Sequence, residues 1–144
     1  MIKFTYYGDA VGKSRPRYSR RGDYVHTYTP KKTKNFEDGI KIAFMESCHG
    51  RAPIYKIDKA LYSIIDIGVS VPKSYSKKKR EDCLSGRLAP TKKPDIDNIL
   101  KSIFDGLNGK AYEDDKQIVQ IRARKVYADE PYITVLIGEI GELE

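Results

Sequence analysis

Five charged residues in the second half of the chain have the types and spacing that phosphodiester chemistry requires. Asp95 and Asp97 flank the start of a predicted helix, and Lys101 follows one turn later. Asp114 and Asp115 come just before a predicted strand. Magnesium prefers oxygen ligands, and its sites combine a few carboxylates with water and substrate phosphate. Such an ion would activate a water and neutralise the leaving oxygen, while a lysine contacts the phosphate as it gains charge.

The same residues also have structural interpretations, which the sequence leaves open. Asp95 could cap the helix, and Asp97 could interact with the helix dipole or pair with Lys101 at i,i+4. Asp114 and Asp115 could be turn residues ahead of the strand. These four aspartates nevertheless fall within 21 residues and follow directly on a basic segment. That clustering favours metal-dependent phosphodiester chemistry.

The charge of the chain is segregated along the sequence. The 144 residues include 27 Lys or Arg and 20 Asp or Glu, for a net charge of +7. Residues 11–34 carry eight basic side chains and one acid, and residues 73–93 carry eight basic side chains and two acids. The rest of the chain is therefore net acidic. Two basic blocks around an acidic cluster are expected of a surface that attracts phosphate, although each block alone could be a solvated loop.

Hydrophobic periodicity and turn residues predict an α/β (α+β) fold with a mixed sheet and two main helices. Strands are predicted at 2–7, 61–71, 118–127 and 132–137, with a loop leading into a short strand or hairpin over 11–29. A first helix is predicted over about 30–48, with Thr29 as N-cap and Pro30 at its first position, and Gly50 and Pro53 beyond its end. A second helix opens at Pro94-Asp95, and its apolar face is followed by Gly106 and Gly109.

These elements are expected to form a single domain over residues 1–144. Residues 73–93 are expected to form a long basic loop, because no helical or strand period is visible there. Residues 138–144 are expected to be a solvated acidic tail. In the second helix Asp97, Lys101 and Asp105 are spaced i, i+4, i+8, and so should share the face opposite the apolar stripe.

Several classes of protein are disfavoured by the composition. No apolar run approaches the roughly 20 residues of a membrane span, and no signal peptide is evident, so a cytoplasmic protein is expected. Cys48 and Cys83 form neither a disulfide framework nor a metal motif; we expect Cys48 to be partly buried and Cys83 to be an exposed thiol. His26 and His49 lack the further ligands of a zinc site. The sequence contains no phosphate-binding glycine loop, so it gives no support for a nucleotide cofactor.

Three segments of the acidic region then carry a family likeness. They read Pro-Asp-Ile-Asp-Asn-Ile-Leu-Lys at 94–101, Asp-Gly-Leu-Asn-Gly at 105–109 and Tyr-Glu-Asp-Asp-Lys-Gln-Ile at 112–118, with Lys125 beyond them. Together with Gly-Lys-Ser-Arg-Pro-Arg at 12–17 and Tyr-Thr-Pro at 28–30, this pattern resembles the RusA family of Holliday junction resolvases over about residues 1–137. The resemblance implies a small homodimeric endonuclease, often carried by phages and prophages, that uses Mg²⁺ (Mn²⁺ can substitute) to nick four-way DNA junctions symmetrically.

Roles follow from the resemblance residue by residue. Asp95 and Asp97 match the two metal-binding aspartates, Asp115 matches the third catalytic carboxylate, and Lys101 matches the catalytic lysine. The sequence does not exclude Asp114, the neighbour of Asp115, as the third carboxylate. Asn98 belongs to the same signature, but no chemical step is assigned to it. The longer basic stretch at 73–93 leaves the DNA preference open. The residues expected to contact DNA phosphates are Arg15, Arg17, Arg20, Arg21, Lys77, Lys78, Lys79 and Arg80.

Two further questions remain open at this level. Tyr18, Tyr24 and Tyr75 lie among the basic residues and could stack on exposed bases or simply pack. A non-catalytic DNA-binding module, or a nuclease for forks or flaps, would share the basic blocks. The acidic cluster argues against the first of these alternatives, because a protein that only binds DNA has no use for clustered carboxylates beside phosphate.

Overall fold

The computed structural model describes residues 1–15, 17–49 and 55–142. The chain forms six strands, three α-helices and two 3-10 turns within these ranges. The strands are β1 (Ile2–Tyr7), β2 (Arg17–Arg21), β3 (Tyr24–Tyr28), β4 (Leu61–Ser70), β5 (Ile118–Ala128) and β6 (Tyr132–Glu139). The helices are α1 (Lys31–Ser47), α2 (Lys77–Leu84) and α3 (Ile96–Leu107), and the 3-10 turns are Asp115–Gln117 and Ile140–Glu142. Gly50, Pro53 and the last two residues of the predicted acidic tail lie outside the described residues.

Four strands form a mixed sheet, as the sequence predicted, and their order is β1-β6-β4-β5. β4 and β5 are parallel, whereas β6 is antiparallel to both β1 and β4. Alternate strand residues, among them Ile65, Ile67 and Val135, share one buried cluster with apolar residues of the helices. The remaining strands, β2 and β3, form a separate antiparallel hairpin, which is one of the two forms expected for this segment.

The apolar periodicity of α1 and α3 places both helices in the core. Ile40 and Phe44 of α1 and Ile99 and Ile103 of α3 are completely buried in the same cluster as the strands. Gly106 lies inside the last turn of α3 rather than at the predicted exit. A Cβ there would come within 2.8 Å of the Glu37 carbonyl oxygen, so glycine permits the close contact of the two helices.

The structure corrects three local predictions. Residues 73–93 contain the helix α2, whose N-cap Ser76 accepts a hydrogen bond from the Lys79 amide. The helix was missed because it has almost no apolar face; its buried residue is Cys83, so the prediction of an exposed thiol was also wrong. The first helix begins at Lys31 with Pro30, not Thr29, at the N-cap position, because Pro30 adopts an extended ψ of 143°. Cys48 is partly buried at the end of α1, as expected.

Candidate active site

The two aspartates of the Asp-x-Asp pair lie at the N-terminus of α3. Asp95 occupies the N-cap position, and its carbonyl oxygen accepts the Ile99 amide at 3.0 Å. Its carboxylate, however, makes no capping hydrogen bond, so the interpretation of Asp95 as a side-chain cap is wrong. Asp97 follows in the first turn, and both side chains are exposed. The helix dipole favours negative charge here, which helps to hold two carboxylates at one end of the helix.

Lys101 lies one turn further along α3 and is exposed. Among the ion pairs of the described residues there is none between Lys101 and Asp97, so the interpretation as a simple i,i+4 pair is not supported. Asp105, predicted to share their face, is instead engaged by Lys13 at 3.0 Å. At one end of the charged face of α3, the charge of Asp105 is therefore neutralised. At the other end, Asp97 and Lys101 form no ion pair among the described residues.

Lys13 links the N-terminal segment to both long helices. Its ammonium donates to Glu37 Oε1 at 2.6 Å and lies 3.0 Å from Asp105 Oδ2. Partial burial opposes the charged form of Lys13, but the hydrogen bonds to the two carboxylates outweigh it and raise the pKa of this lysine. Although Lys13 belongs to a basic block in the sequence, it thus stabilises the fold rather than offering a free charge to phosphate.

A cleft of about 540 Å³ opens beside Asp95. The N-terminal segment forms one wall, where the Lys13 amide donates to the Asn98 carbonyl at 2.9 Å. Gly12 lies close to the helix start: a Cβ at this position would lie 3.1 Å from Pro94 Cβ. The cleft thus combines one carboxylate with basic and amide groups. The basic and amide groups are the hydrogen-bond donors that a phosphate group needs. Its polar lining residues are Lys13, Ser14, Lys32, Lys93, Asp95 and Asn98.

Lys125 of β5 fixes the loop that leads into the Asp-x-Asp pair. Its ammonium donates to the carbonyl oxygens of Lys92 at 2.8 Å and Pro94 at 3.0 Å. The second carbonyl belongs to the peptide that immediately precedes Asp95. The sequence pattern includes Lys125 but gave it no role, because the contact joins residues far apart in the chain.

Asp114 and Asp115 have different surroundings. The structure therefore distinguishes two residues that the sequence alone could not distinguish. The carboxylate of Asp114 accepts the Lys116 amide at 2.9 Å and caps the 3-10 turn, and this backbone hydrogen bond lowers its pKa. Gln117 completes the capping box by accepting the Asp114 amide. For Asp115, partial burial together with the neighbouring Asp114 and Asp105 carboxylates raises the pKa. The Asp114 carboxylate is therefore engaged in capping the turn.

Asp115 is close enough to Asp105 for the two negative charges to repel. Asp105 is eight residues beyond Asp97 in α3 and hence about 12 Å along the helix axis. Within the described ranges, no three acidic, histidine or cysteine side chains converge closely enough to hold a metal ion. The exposed carboxylates of Asp95, Asp97 and Asp115 have the donor chemistry of a magnesium site. One chain as described does not, however, bring all three to a single ion.

The two basic blocks lie on different surface elements. All of the described arginines at 15–21 are exposed, and three of them belong to the hairpin of β2 and β3. On α2, Lys79 lies 3.9 Å from the centre of the Tyr75 ring and Arg80 pairs with Asp129 at 2.7 Å. Lys77 and Lys78 have no such side-chain partner among the described residues. Because a lysine covers the Tyr75 ring, this aromatic is less suited to base stacking than the sequence suggested.

The comparison with known families identifies the family of this chain. A sequence model of the family described as "Endodeoxyribonuclease RusA" matches residues 8–138, which include the cleft, α3 and the paired aspartates. The chain belongs to the RusA endodeoxyribonuclease family. It is accordingly an endodeoxyribonuclease of the Holliday junction-resolving type, and the predicted family and enzyme class are confirmed.

A relative supports the match over almost the whole chain. The Bacillus subtilis (strain 168) protein named "Uncharacterized protein YqaN" is 40% identical over 142 residues, covering 97% of each chain. Its name adds no activity of its own. Within the described ranges of this RusA-family chain, no helix is both long and apolar enough to cross a membrane.

Proposed function

We propose that this protein is a magnesium-dependent, structure-selective endonuclease that resolves four-way (Holliday) DNA junctions by paired symmetric nicks during recombination and repair. The observation that carries the proposal is the exposed Asp95–Asp97 pair at the start of α3, beside a cleft lined by lysines. An enzyme with this substrate would act in the cytoplasm of a bacterial cell, whether a host or a phage gene encodes it.

The proposed division of labour follows from the surroundings of each residue. Asp95, Asp97 and Asp115 would hold Mg²⁺, with Mn²⁺ as a substitute, because their carboxylates are hard oxygen donors near the protein surface. When bound, such an ion supplies an activated water and charge neutralisation at the scissile phosphate. Lys101 would contact the same phosphate, since its ammonium is exposed and unpaired among the described residues.

DNA binding is proposed to rest mainly on phosphate contacts from the two basic blocks. Contacts of this kind supply affinity without sequence preference and weaken steeply with salt. A branched substrate with several duplex arms offers phosphates on more than one side, which suits basic groups on both the hairpin and α2. The residues proposed for these contacts are Arg15, Arg17, Arg20, Arg21, Lys77, Lys78, Lys79 and Arg80.

We propose that the active form is a homodimer. A four-way junction has two-fold symmetry, and a two-fold dimer would present two sites to opposed strands. The separation of Asp115 from Asp97 within one chain adds a second reason, because a partner copy could complete the carboxylate set. Chains carrying Asp97→Asn and chains carrying Asp115→Asn should then be inactive separately but regain nicking when mixed. Failure of mixed chains to nick, although light scattering shows that they dimerise, would exclude a shared site.

The experiment that tests the function is cleavage of a panel of synthetic DNAs. The panel contains a four-way junction, a replication fork, a flap and a linear duplex, each incubated with Mg²⁺ or with EDTA. The proposal expects paired nicks in the junction with Mg²⁺ and no cutting with EDTA. Preferential cutting of the fork or flap would show that the protein is a nuclease for that substrate rather than for four-way junctions. Binding without cutting in any divalent ion would show that it is a DNA-binding module without nuclease activity.

A further inference from the structure

The hairpin of β2 and β3, residues 17–28, carries aromatic side chains that the core does not use. Every residue of its two strands is exposed except Ser19, which is partly buried. Tyr18 and Tyr24 are 74% and 70% exposed, and Tyr28 is 41% exposed. An isolated two-stranded hairpin is only marginally stable in water, so side chains of this kind serve a partner rather than the fold.

The strand register divides the hairpin into two unlike faces. Residues directly opposite one another in an antiparallel pair lie on the same face. One face, which we call the aromatic face, consists of three cross-strand pairs: Arg17 with Tyr28, Ser19 with His26, and Arg21 with Tyr24. The opposite face contains Tyr18 with Thr27 and Arg20 with Val25. Three of the four rings in the hairpin strands are therefore aligned along β3 on a single face.

The aromatic face has the geometry of a stacking platform. The His26 and Tyr28 rings are nearly parallel, with an interplanar angle of 13° and centroids 6.1 Å apart. A groove on this face is lined by Ser19, Arg21, Tyr24 and His26, so a guanidinium borders the rings. Flat aromatic surfaces beside arginines are the combination by which proteins bind single-stranded nucleic acid, with bases on the rings and phosphates on the cations.

We propose that the aromatic face stacks on base faces exposed at the branch point of the junction, with Tyr24, His26 and Tyr28 as the platform and Arg17 and Arg21 on the flanking phosphates. The inference rests on the proposed function and names the part of the DNA that this surface reads. Regular duplex hides its base faces inside the helix, whereas strand exchange at a branch point exposes them. The alternative occupant, the same face of a second copy, is disfavoured because both faces are basic and would repel one another.

The register supplies a matched control for the test. A double variant, Tyr24→Ala with Tyr28→Ala, removes rings from the aromatic face, and Tyr18→Ala removes an equally exposed ring from the opposite face. Each protein is titrated, in EDTA, into a four-way junction that carries 2-aminopurine at the branch point. A junction with 2-aminopurine in the middle of one arm and a linear duplex serve as reference DNAs. Circular dichroism checks folding, which should be unchanged since these rings lie outside the core.

We expect the wild-type protein and Tyr18→Ala to change the branch-point fluorescence and to leave the mid-arm probe unaffected. The double variant should lose the branch-point signal and bind the junction about tenfold or more weakly, while its affinity for linear duplex stays near wild type. Equal effects of the Tyr18 and double variants, or no effect of either, would overturn the inference. So would a change in oligomeric state without a change in DNA binding.

Failure of this inference is distinguishable from failure of the proposed function. If the wild-type protein cuts the junction in Mg²⁺ and the double variant binds and cuts equally well, the function stands and the aromatic platform is wrong. If the branch-point signal depends on Tyr24 and Tyr28 but no divalent ion supports cutting, the platform stands and the nuclease proposal fails.

Discussion

The ammonium of Lys125 donates a hydrogen bond to the carbonyl oxygen of Pro94 at 3.0 Å. This contact holds the peptide directly ahead of Asp95, and a second one to the Lys92 carbonyl holds the same loop at 2.8 Å. Strand β5 thus fixes the approach to the Asp-x-Asp pair, although Lys125 itself is far from the pair in sequence. We interpret Lys125 as a positioning residue that acts on the carboxylates through the backbone.

Replacing Lys125 with methionine should slow cutting without weakening DNA binding. Partners that orient metal ligands affect activity or metal affinity by about 10- to 100-fold, so kcat should fall within that range and the Mg²⁺ requirement should rise. Lys125→Arg, which keeps a donor, should restore part of the activity. Lys110→Met, at an exposed lysine, serves as the control. Loss of junction affinity in parallel with turnover would show that Lys125 contacts DNA instead.

Substitutions at Asp114 and Asp115 should have different consequences. Asp115→Asn should abolish nicking and leave thermal stability unchanged or slightly higher, because it removes one member of a mutually repelling group. Asp114→Ala should lower the melting temperature through loss of the cap, and should retain nicking when assayed well below that temperature. Thermal unfolding and junction cleavage measure both quantities. The reverse assignment would be required if Asp114→Ala were inactive and Asp115→Asn active.

The sequence predicted those elements whose evidence is local. The apolar period of α3, the β-branched residues of β4 and the alternation of β5 placed these elements correctly. Helix α2 was missed, because its stability depends on the Ser76 cap and on burial of Cys83 rather than on an apolar stripe.

The site itself was only partly predictable. A sequence motif identified the Asp-x-Asp pair. The hydrogen bonds by which Lys125 holds the preceding loop, and the ion pair between Lys13 and Glu37, depend instead on tertiary contacts between distant segments. That no three carboxylates converge within the described residues likewise depends on how distant segments pack, which spacing in the chain does not reveal.

Lys77 and Lys78 should contribute to the salt dependence of DNA binding. If both contact phosphates, the double change to alanine should reduce the slope of log K against log salt by about 2, with a similar loss for junction and duplex. Arg80→Ala is the matched comparison, since its guanidinium is already paired with Asp129 and should change the slope less. Titrations at several salt concentrations give both slopes. An unchanged slope in the double variant would remove Lys77 and Lys78 from the DNA-binding surface.

Tyr112 should make folding stability sensitive to alkaline pH. Its hydroxyl is buried and donates to the Phe104 carbonyl at 2.6 Å, and burial raises its pKa far above the usual range. An unfolded tyrosine ionises at about pH 10, so this stabilising contribution is complete below that pH and is lost above it. Tyr112→Phe should lose about 1 kcal/mol at neutral pH and show a shallower decline above about pH 10.

Urea unfolding at neutral and alkaline pH measures this difference. Tyr7→Phe provides the control, since Tyr7 is 81% exposed and lies outside the core. If the wild-type protein and Tyr112→Phe declined in parallel with rising pH, the buried hydroxyl would not be the source of the effect.

Cleavage and binding of one synthetic four-way junction by the wild-type protein and by Asp97→Asn test the central claim most directly. The side chain of Asp97 is exposed, and the substitution leaves both basic blocks intact, so it should remove a metal ligand and little else. We predict paired symmetric nicks by the wild-type protein in Mg²⁺, and undetectable nicking by Asp97→Asn with junction affinity within about twofold of wild type. Wild-type nicking rates in Asp97→Asn, or loss of binding together with cutting, would contradict the account.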